Sequence, residues 1–405
     1  MGFRDISDIV FPWDLLIPFG DLARNHPDGI IDLSVGTPVD PTPQVIQNAI
    51  ASASDAHGYP LTYGTTQLRE AVAGWFEVRR AVPDLDPSDV LPTIGSKELV
   101  GLLPSLLHLG EGDIVVYPSV AYPTYEVGAR LAGATPLATD NVADWRGDTR
   151  VKLVWVNSPG NPHGKVMDVA ALREVVDAAR EIGALVVSDE CYAELPWTSP
   201  YLGDGVPSVL DPRVRGTSYE GLLVTYSLSK QSNMAGYRAA FVAGDGQVVR
   251  QLLALRKHLG MIVPFPVQQA MIAALTDEAH VWEQYAVYAR RRDVLLTALG
   301  GASETFEMDG SEAGLYVWIR AGNMPVLKDR TSVLVQQAQS RMPGACWESV
   351  GYFAERGILV APGAFYGAAG NDHVRMALTA TDERISVVGS RLGWSIPRKG
   401  FPFTW

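Results

Sequence analysis

The chain has 405 residues, 47% of them hydrophobic, enough to bury a large core in two domains or in one large domain with a smaller companion. Its formal net charge of -12 and the lack of a long basic run argue against nucleic-acid and membrane partners and favour small molecules. The cysteines, Cys191 and Cys346, form neither a disulfide framework nor a CxxC metal spacing, so no metal is expected and the cytoplasm is the expected compartment.

In chain order, the opening "MGFRDISDIVFPWDLLIPFG" carries Asp5, Asp8 and Asp14 among its apolar residues, which fits neither a signal peptide nor a membrane span. Ile6 stands where a myristoylation signal needs a hydroxyl. Residues 1–48, with the Pro- and Gly-rich "LSVGTPVDPTP", read as an arm and part of a small domain. From 49 to 275 the pattern is that of a large α/β domain. "DIVVYP", "VKLVWVNSP", "ALVVSDE", "LLVTYSLS" and "AAFVAG" read as strands of a mainly parallel sheet between helices. The spacing in "DVAALREVVDAAREIG" predicts a helix with Asp168 as N-cap and Gly183 just past its end. Residues 276–405 read as a smaller α+β domain, with a long helix in "HVWEQYAVYARRRDVLLTAL" and strands in "GLYVWIRAG", "GILVAPG" and "HVRMALTA".

Ligands of open α/β sheets sit outside the carboxyl ends of the strands. There the chain places Asn157 and Asn161, then Asp189 and Tyr192, then Ser227, Ser229 and Lys230, with Arg238 eight residues beyond the lysine. Taken singly, each has an ordinary reading: Asp189 as a cap or solvated acid, Lys230 as a loop lysine, "NSPGNPHG" as a turn, Arg238 as an ion-paired surface group. Together, an amide, a carboxylate, a phenol, an amine and a guanidinium suit an aromatic aldehyde with a ring nitrogen, a ring hydroxyl and a phosphate. Pyridoxal phosphate is such a molecule.

"NSPGNPHG", "SDECY" and "SLSKQSNMAGYR" resemble the motifs of the class I/II (fold-type I) aminotransferases, which use pyridoxal 5'-phosphate, and the resemblance runs from "LSVGTP" to "HVRMALTATDERI". It implies that Lys230 bonds the cofactor aldehyde, that Asp189 partners the ring nitrogen, and that Asn161 and Tyr192 hold the ring oxygen. It puts Ser227 and Arg238 on the phosphate, with the backbone amides of Ser96 and Lys97 at a helix N-terminus. It nominates Tyr122 over Tyr125 as the ring laid on the cofactor. Tyr59, not Tyr63, is implied to reach the phosphate of the other subunit, in a homodimer with shared active sites. For the substrate it implies Arg375 on the α-carboxylate, with Gly36 and Asn161 beside it.

One departure stands out: His163 replaces the Thr of the Asn-Pro-Thr-Gly motif and reads as a solvent-facing turn residue. Cys191 reads as a small buried filler. Several stretches, among them "IGSKELVGLLPSLL" and "RKHLGMIVPFPVQ", are most similar to actinobacterial N-succinyldiaminopimelate aminotransferases of lysine synthesis, which use glutamate as donor. The long dicarboxylic acceptor would need a second cation, for which Arg256 and Lys257 are candidates; both equally suit solvated helix charges. Aspartate, alanine or aromatic aminotransferases, a carbon–sulfur lyase of the same fold type and a non-enzymatic binding protein are the alternatives. The tail "WSIPRKGFPFTW" has no functional reading.

Overall fold

The computed structural model describes residues 11–300, 306–321 and 326–393; the C-terminal tail falls outside them. Strand β1 (Ile31–Asp32) pairs in parallel with a segment far down the chain. The large sheet is built from β2 (Val90–Ile94), β3 (Ile114–Tyr117), β4 (Thr135–Ala138), β5 (Val151–Asn157), β6 (Leu185–Asp189), β7 (Leu222–Ser227) and β8 (Ala239–Gly244). Its order is β2-β8-β7-β6-β5-β3-β4, and only β8 runs antiparallel to its neighbours.

The central strands are apolar throughout because helices cover both faces of the sheet. Every residue of β7 and β8 is buried. Two strands escaped the sequence reading, β2 and β4. Each contains a proline, Pro92 or Pro136, and each lies at an edge of the sheet, where a missing N–H costs no ladder bond. The helix Val169–Ile182 forms as its spacing predicts: Asp168 accepts from the Ala171 amide at 2.8 Å, and Gly183 ends it at φ 70°.

The smaller unit is an antiparallel sheet made of β9 (Phe306–Met308), β10 (Tyr316–Ala321), β12 (Ala361–Pro362) and β13 (His373–Ala377), in the order β12-β13-β10-β9. Strand β11 (Ile358–Leu359) is the partner of β1, so the N-terminal segment is stitched to the C-terminal one. Helix Ile17–Arg24 packs on Cys346–Ala354 in the same core, which includes Phe19, Trp347 and Val350. Helix Gln44–Ser52 instead packs against Phe265–Thr276. These connections bring β1, β10 and β13 against the carboxyl ends of β5, β6 and β7, and the cleft between the two sheets is the site.

Candidate active site

A cleft of about 520 Å³ opens at those strand ends. Every nominated site residue lines it except Tyr59, which is 100% exposed and far from lining the cleft of its own chain. Strand β5 stops at Asn157, whose amide donates to the Asp189 carbonyl at 3.0 Å and whose oxygen accepts the Asn161 N–H at 2.8 Å. Asn157 thus braces the turn that presents Asn161 beside β6.

Asp189 ends β6. The Tyr125 hydroxyl donates to its Oδ2 at 2.9 Å and the Cys191 amide to its Oδ1 at 3.3 Å. It makes no ion pair among the described residues. Burial raises its pKa above the usual carboxylate range, and these two hydrogen bonds only partly oppose the rise. An enclosed acid with donors but no cation is the environment that a protonated ring nitrogen completes.

Strand β7 turns at Ser227 into the one-turn helix Leu228–Gln231. The Ser227 and Ser229 hydroxyls lie 2.8 Å apart, and the Lys230 ammonium donates to the Gly36 carbonyl. Burial chiefly holds Lys230 below the usual lysine range, with Arg375 and Arg238 pushing the same way. Arg238 adopts a left-handed backbone, φ 56°, and its guanidinium crosses directly over Gly95, at φ 73°, which starts the helix Ser96–Leu106. A Cβ at Gly95 would overlap that guanidinium, so glycine is required for both reasons. A helix N-terminus, an arginine and the Ser96, Ser227 and Ser229 hydroxyls therefore converge on one end of the cleft, a donor set fitted to a phosphate.

At the opposite wall Arg375, on β13, is 2% exposed. It donates to Asn161 Oδ1 at 3.0 Å and to the Ser34 carbonyl at 2.6 Å, while its Nε has no partner. Its guanidinium lies 4.0 Å from the Tyr316 ring centroid and 5.1 Å from that of Tyr366. Tyr192 meets Tyr316 hydroxyl to hydroxyl at 3.1 Å. Tyr122 also faces the cleft, with the Lys97 ammonium donating to its hydroxyl at 3.1 Å. Asp189, Lys230, the phosphate-type cradle and the free edge of Arg375 together fit pyridoxal phosphate and a carboxylate-bearing substrate.

Two expectations need correction. Arg256 does not face the cleft: it is fully buried and makes a two-pronged ion pair with Glu98, at 2.8 and 3.1 Å, while Lys257 is exposed and outside the cleft. His163 does not point to solvent. It is half-buried over Gly160 and accepts from the Lys165 amide at 3.0 Å, and burial takes its pKa down to about 4. Cys191 is buried as expected, although it also lines the cleft, with its thiol 3.5 Å from the Ser96 hydroxyl.

The sequence reading passed over Tyr125, Tyr316 and Trp13, all in the cleft wall. Tyr125 was the discarded member of "AYPTY"; three residues from Tyr122, it turns inward from the helix Thr124–Ala132 to hold Asp189. Trp13, from the N-terminal segment, packs 5.9 Å from Tyr122 and 5.2 Å from Phe365.

The fold and cleft define an enzyme that works through a bound aromatic aldehyde held between a large parallel-sheet domain and a smaller one. The chain belongs to the aminotransferase class I and II family, whose model matches residues 28–392, and the cofactor is that family's pyridoxal phosphate. It is 49% identical over 383 residues to the 4-dedimethylamino-4-oxo-anhydrotetracycline transaminase OxyQ of Streptomyces rimosus, covering 94% of this chain and 98% of that one. It is 51% identical to a probable aminotransferase of Mycobacterium tuberculosis, over 95% of this chain and 85% of the relative. Among solved structures, a probable N-succinyldiaminopimelate aminotransferase from Thermus thermophilus superposes with a TM-score of 0.76 at 27% identity, covering 93% of this chain and 99% of that one.

Proposed function

We propose that this aminotransferase exchanges the amino group between glutamate and N-succinyl-2-amino-6-ketopimelate, in the route to diaminopimelate and lysine. The observation that carries the reading is the pairing of Arg375, a buried fork for an α-carboxylate, with Lys97 at the exposed side of the same cleft. Arginine suits the planar carboxylate at the reacting end. Lys97 has no acidic partner among the described residues, only the Tyr122 hydroxyl, so it is the cation that this chain offers to a distal carboxylate now that Arg256 is committed to Glu98. The resemblance of the "IGSKEL" region to succinyldiaminopimelate enzymes and the likeness to the Thermus protein support the same acceptor.

When bound, the cofactor supplies an electrophilic carbon and a ring that accepts electrons from the substrate. Asp189, as an anion, would hold the ring nitrogen protonated. Asn161 and Tyr192 would orient the ring oxygen, and Ser96, Ser227 and Arg238 the phosphate. Arg375 fixes the substrate carboxylate, which aims Cα. Lys230 Nζ, whose pKa burial lowers, would take the proton from Cα and return it on the other side of the exchange. Tyr59, fully exposed, would complete the phosphate site of a second copy in a homodimer.

A second acceptor is favoured by the streptomycete relative, a ketone on a polycyclic ring such as 4-dedimethylamino-4-oxo-anhydrotetracycline. The test is a coupled assay of the cofactor-loaded enzyme with glutamate and each of the succinylated keto acid, the tetracycline ketone, oxaloacetate, pyruvate and phenylpyruvate, with Lys230→Ala as control. A preference for the succinylated acid that Lys97→Ala weakens through KM supports the proposal. A preference for any other acceptor replaces it, and release of ammonia and pyruvate from a cysteine-type substrate instead of keto-acid exchange would make the chain a lyase.

A further inference from the structure

We propose that Tyr316 is a positioning residue of the reaction: its hydroxyl is hydrogen-bonded to that of Tyr192, and its ring carries the Arg375 guanidinium, so one side chain sets the ring-oxygen ligand and the carboxylate fork together. The inference rests on the family's cofactor chemistry and is independent of which acceptor is used.

Three contacts meet at this phenol. Its oxygen is 3.1 Å from the Tyr192 hydroxyl, its ring centroid is 4.0 Å from the Arg375 guanidinium carbon, and a Cβ at Gly36 would overlap its hydroxyl. Glycine at 36 is therefore required by Tyr316 itself, and the carbonyl of the same glycine accepts from Lys230. Strand β10 fixes the position, since Tyr316 pairs with Ala377 and the residue two along, Trp318, pairs with Arg375. A side chain 4% exposed at such a junction has no room to swing away.

The groups around this pair set the acidity of its two phenols. The groups facing Tyr316 are Tyr192 and Cys191 after β6, Lys230 after β7, Arg375 on β13, Tyr366 after β12 and Tyr288 from the helix Ala279–Gly300. Burial pushes Tyr316 up, but Arg375 and Lys230 outweigh it and leave the phenol below the usual tyrosine range. Burial leaves Tyr192 well above that range. The hydrogen bond between the two hydroxyls fixes where Tyr192 presents its oxygen to the cleft. The ring meanwhile offers Arg375 a cation–π face, which holds the guanidinium flat.

The test compares wild type with Tyr316→Phe and Tyr316→Leu, all cofactor-loaded. The readouts are the pH midpoint of the bound cofactor's visible absorbance, the glutamate half-reaction and the Kd of glutarate. Tyr316→Phe keeps the ring and loses the hydrogen bond, so the midpoint rises by roughly half to one unit and kcat falls about three- to tenfold, with glutarate Kd unchanged. Tyr316→Leu also loses the ring, and its glutarate Kd rises about fivefold or more. An unmoved midpoint in the phenylalanine variant overturns the proposal, whatever the leucine variant does. A folded leucine variant that binds glutarate like the phenylalanine one overturns the claim on Arg375.

Discussion

The Arg256–Glu98 pair makes a prediction that separates stability from cofactor binding. Arg256 is fully buried, whereas the Glu98 side chain keeps 19% of its surface, so the two partners are not equivalent. Glu98→Gln strands a guanidinium that has no water contact and does not deprotonate, and breaking a buried pair in this way costs about 3–5 kcal/mol. Arg256→Met leaves the acid instead, which rehydrates through its exposed edge, so the loss falls at or below the lower end of that range, about 3 kcal/mol. Cofactor binding orders the variants the other way. Glu98 lies in the first turn of the helix Ser96–Leu106, whose N-terminus faces the phosphate-type cradle, and Arg256 neutralises it there. An uncompensated charge about 10 Å from an anion at that terminus, at an effective dielectric of about 20, costs about 1.7 kcal/mol, which is more than tenfold in affinity. Thermal midpoints of the cofactor-free proteins and cofactor Kd values from fluorescence titration measure both. Glu98→Gln is expected to be the less stable variant and Arg256→Met the weaker cofactor binder. If Arg256→Met instead kept its midpoint and cofactor Kd and raised KM for a dicarboxylic acceptor alone, the arginine would belong to the substrate and this reasoning would fail.

Asp189 has a folded pKa raised by burial, so its contribution is fully present below the unfolded value and is lost as pH rises through the folded one. Cofactor-free Asp189→Asn is therefore expected to melt no lower than wild type at pH 7, whereas the cofactor-loaded variant melts lower; a cofactor-free variant that melted lower would contradict the assignment. His163, with its pKa down to about 4, stays neutral in the fold while the unfolded chain takes up a proton below about 6.5, so stability falls from that pH towards 4. His163→Gln should flatten this part of the urea-midpoint profile and leave turnover at pH 8 unchanged. Tyr125→Phe removes a 2.9 Å donor from Asp189 and keeps the ring against Trp155, so cofactor Kd is expected to rise about tenfold or more, the value of a hydrogen bond to a charged group; an unchanged Kd would mean that the tyrosine only packs.

What the sequence exposed and what it hid follow from where each residue gets its neighbours. Asn161, Asp189, Ser227 and Lys230 stand at the ends of apolar runs, and a parallel sheet brings all such ends to one edge, so local pattern was sufficient to collect them. Tyr316 and Trp13 sit in an antiparallel strand and an N-terminal turn, and only the pairing of β1 with β11 and of β10 with β13 carries them into the cleft. Arg256 looked like a helix charge because its partner is 158 residues away. In "AYPTY" the two tyrosines divide their work: Tyr122 faces the cleft beside Lys97, and Tyr125 holds the acid.

The cleft is also legible as an unfinished balance of charge. Lys230, Arg238 and Arg375 surround a space in which Asp189 is the acid, and it has no cationic partner among the described residues. Left alone, the arrangement pushes the lysine towards neutrality and the aspartate towards protonation, each by burial first. A ligand with a phosphate at one end and a basic ring nitrogen at the other would oppose both effects, because it would put an anion beside Arg238 and a cation beside Asp189. A substrate carboxylate then completes Arg375. The same groups that cost the cofactor-free protein stability would thus give the loaded enzyme its affinity, and a lysine whose pKa burial lowers would stand beside the reacting carbon.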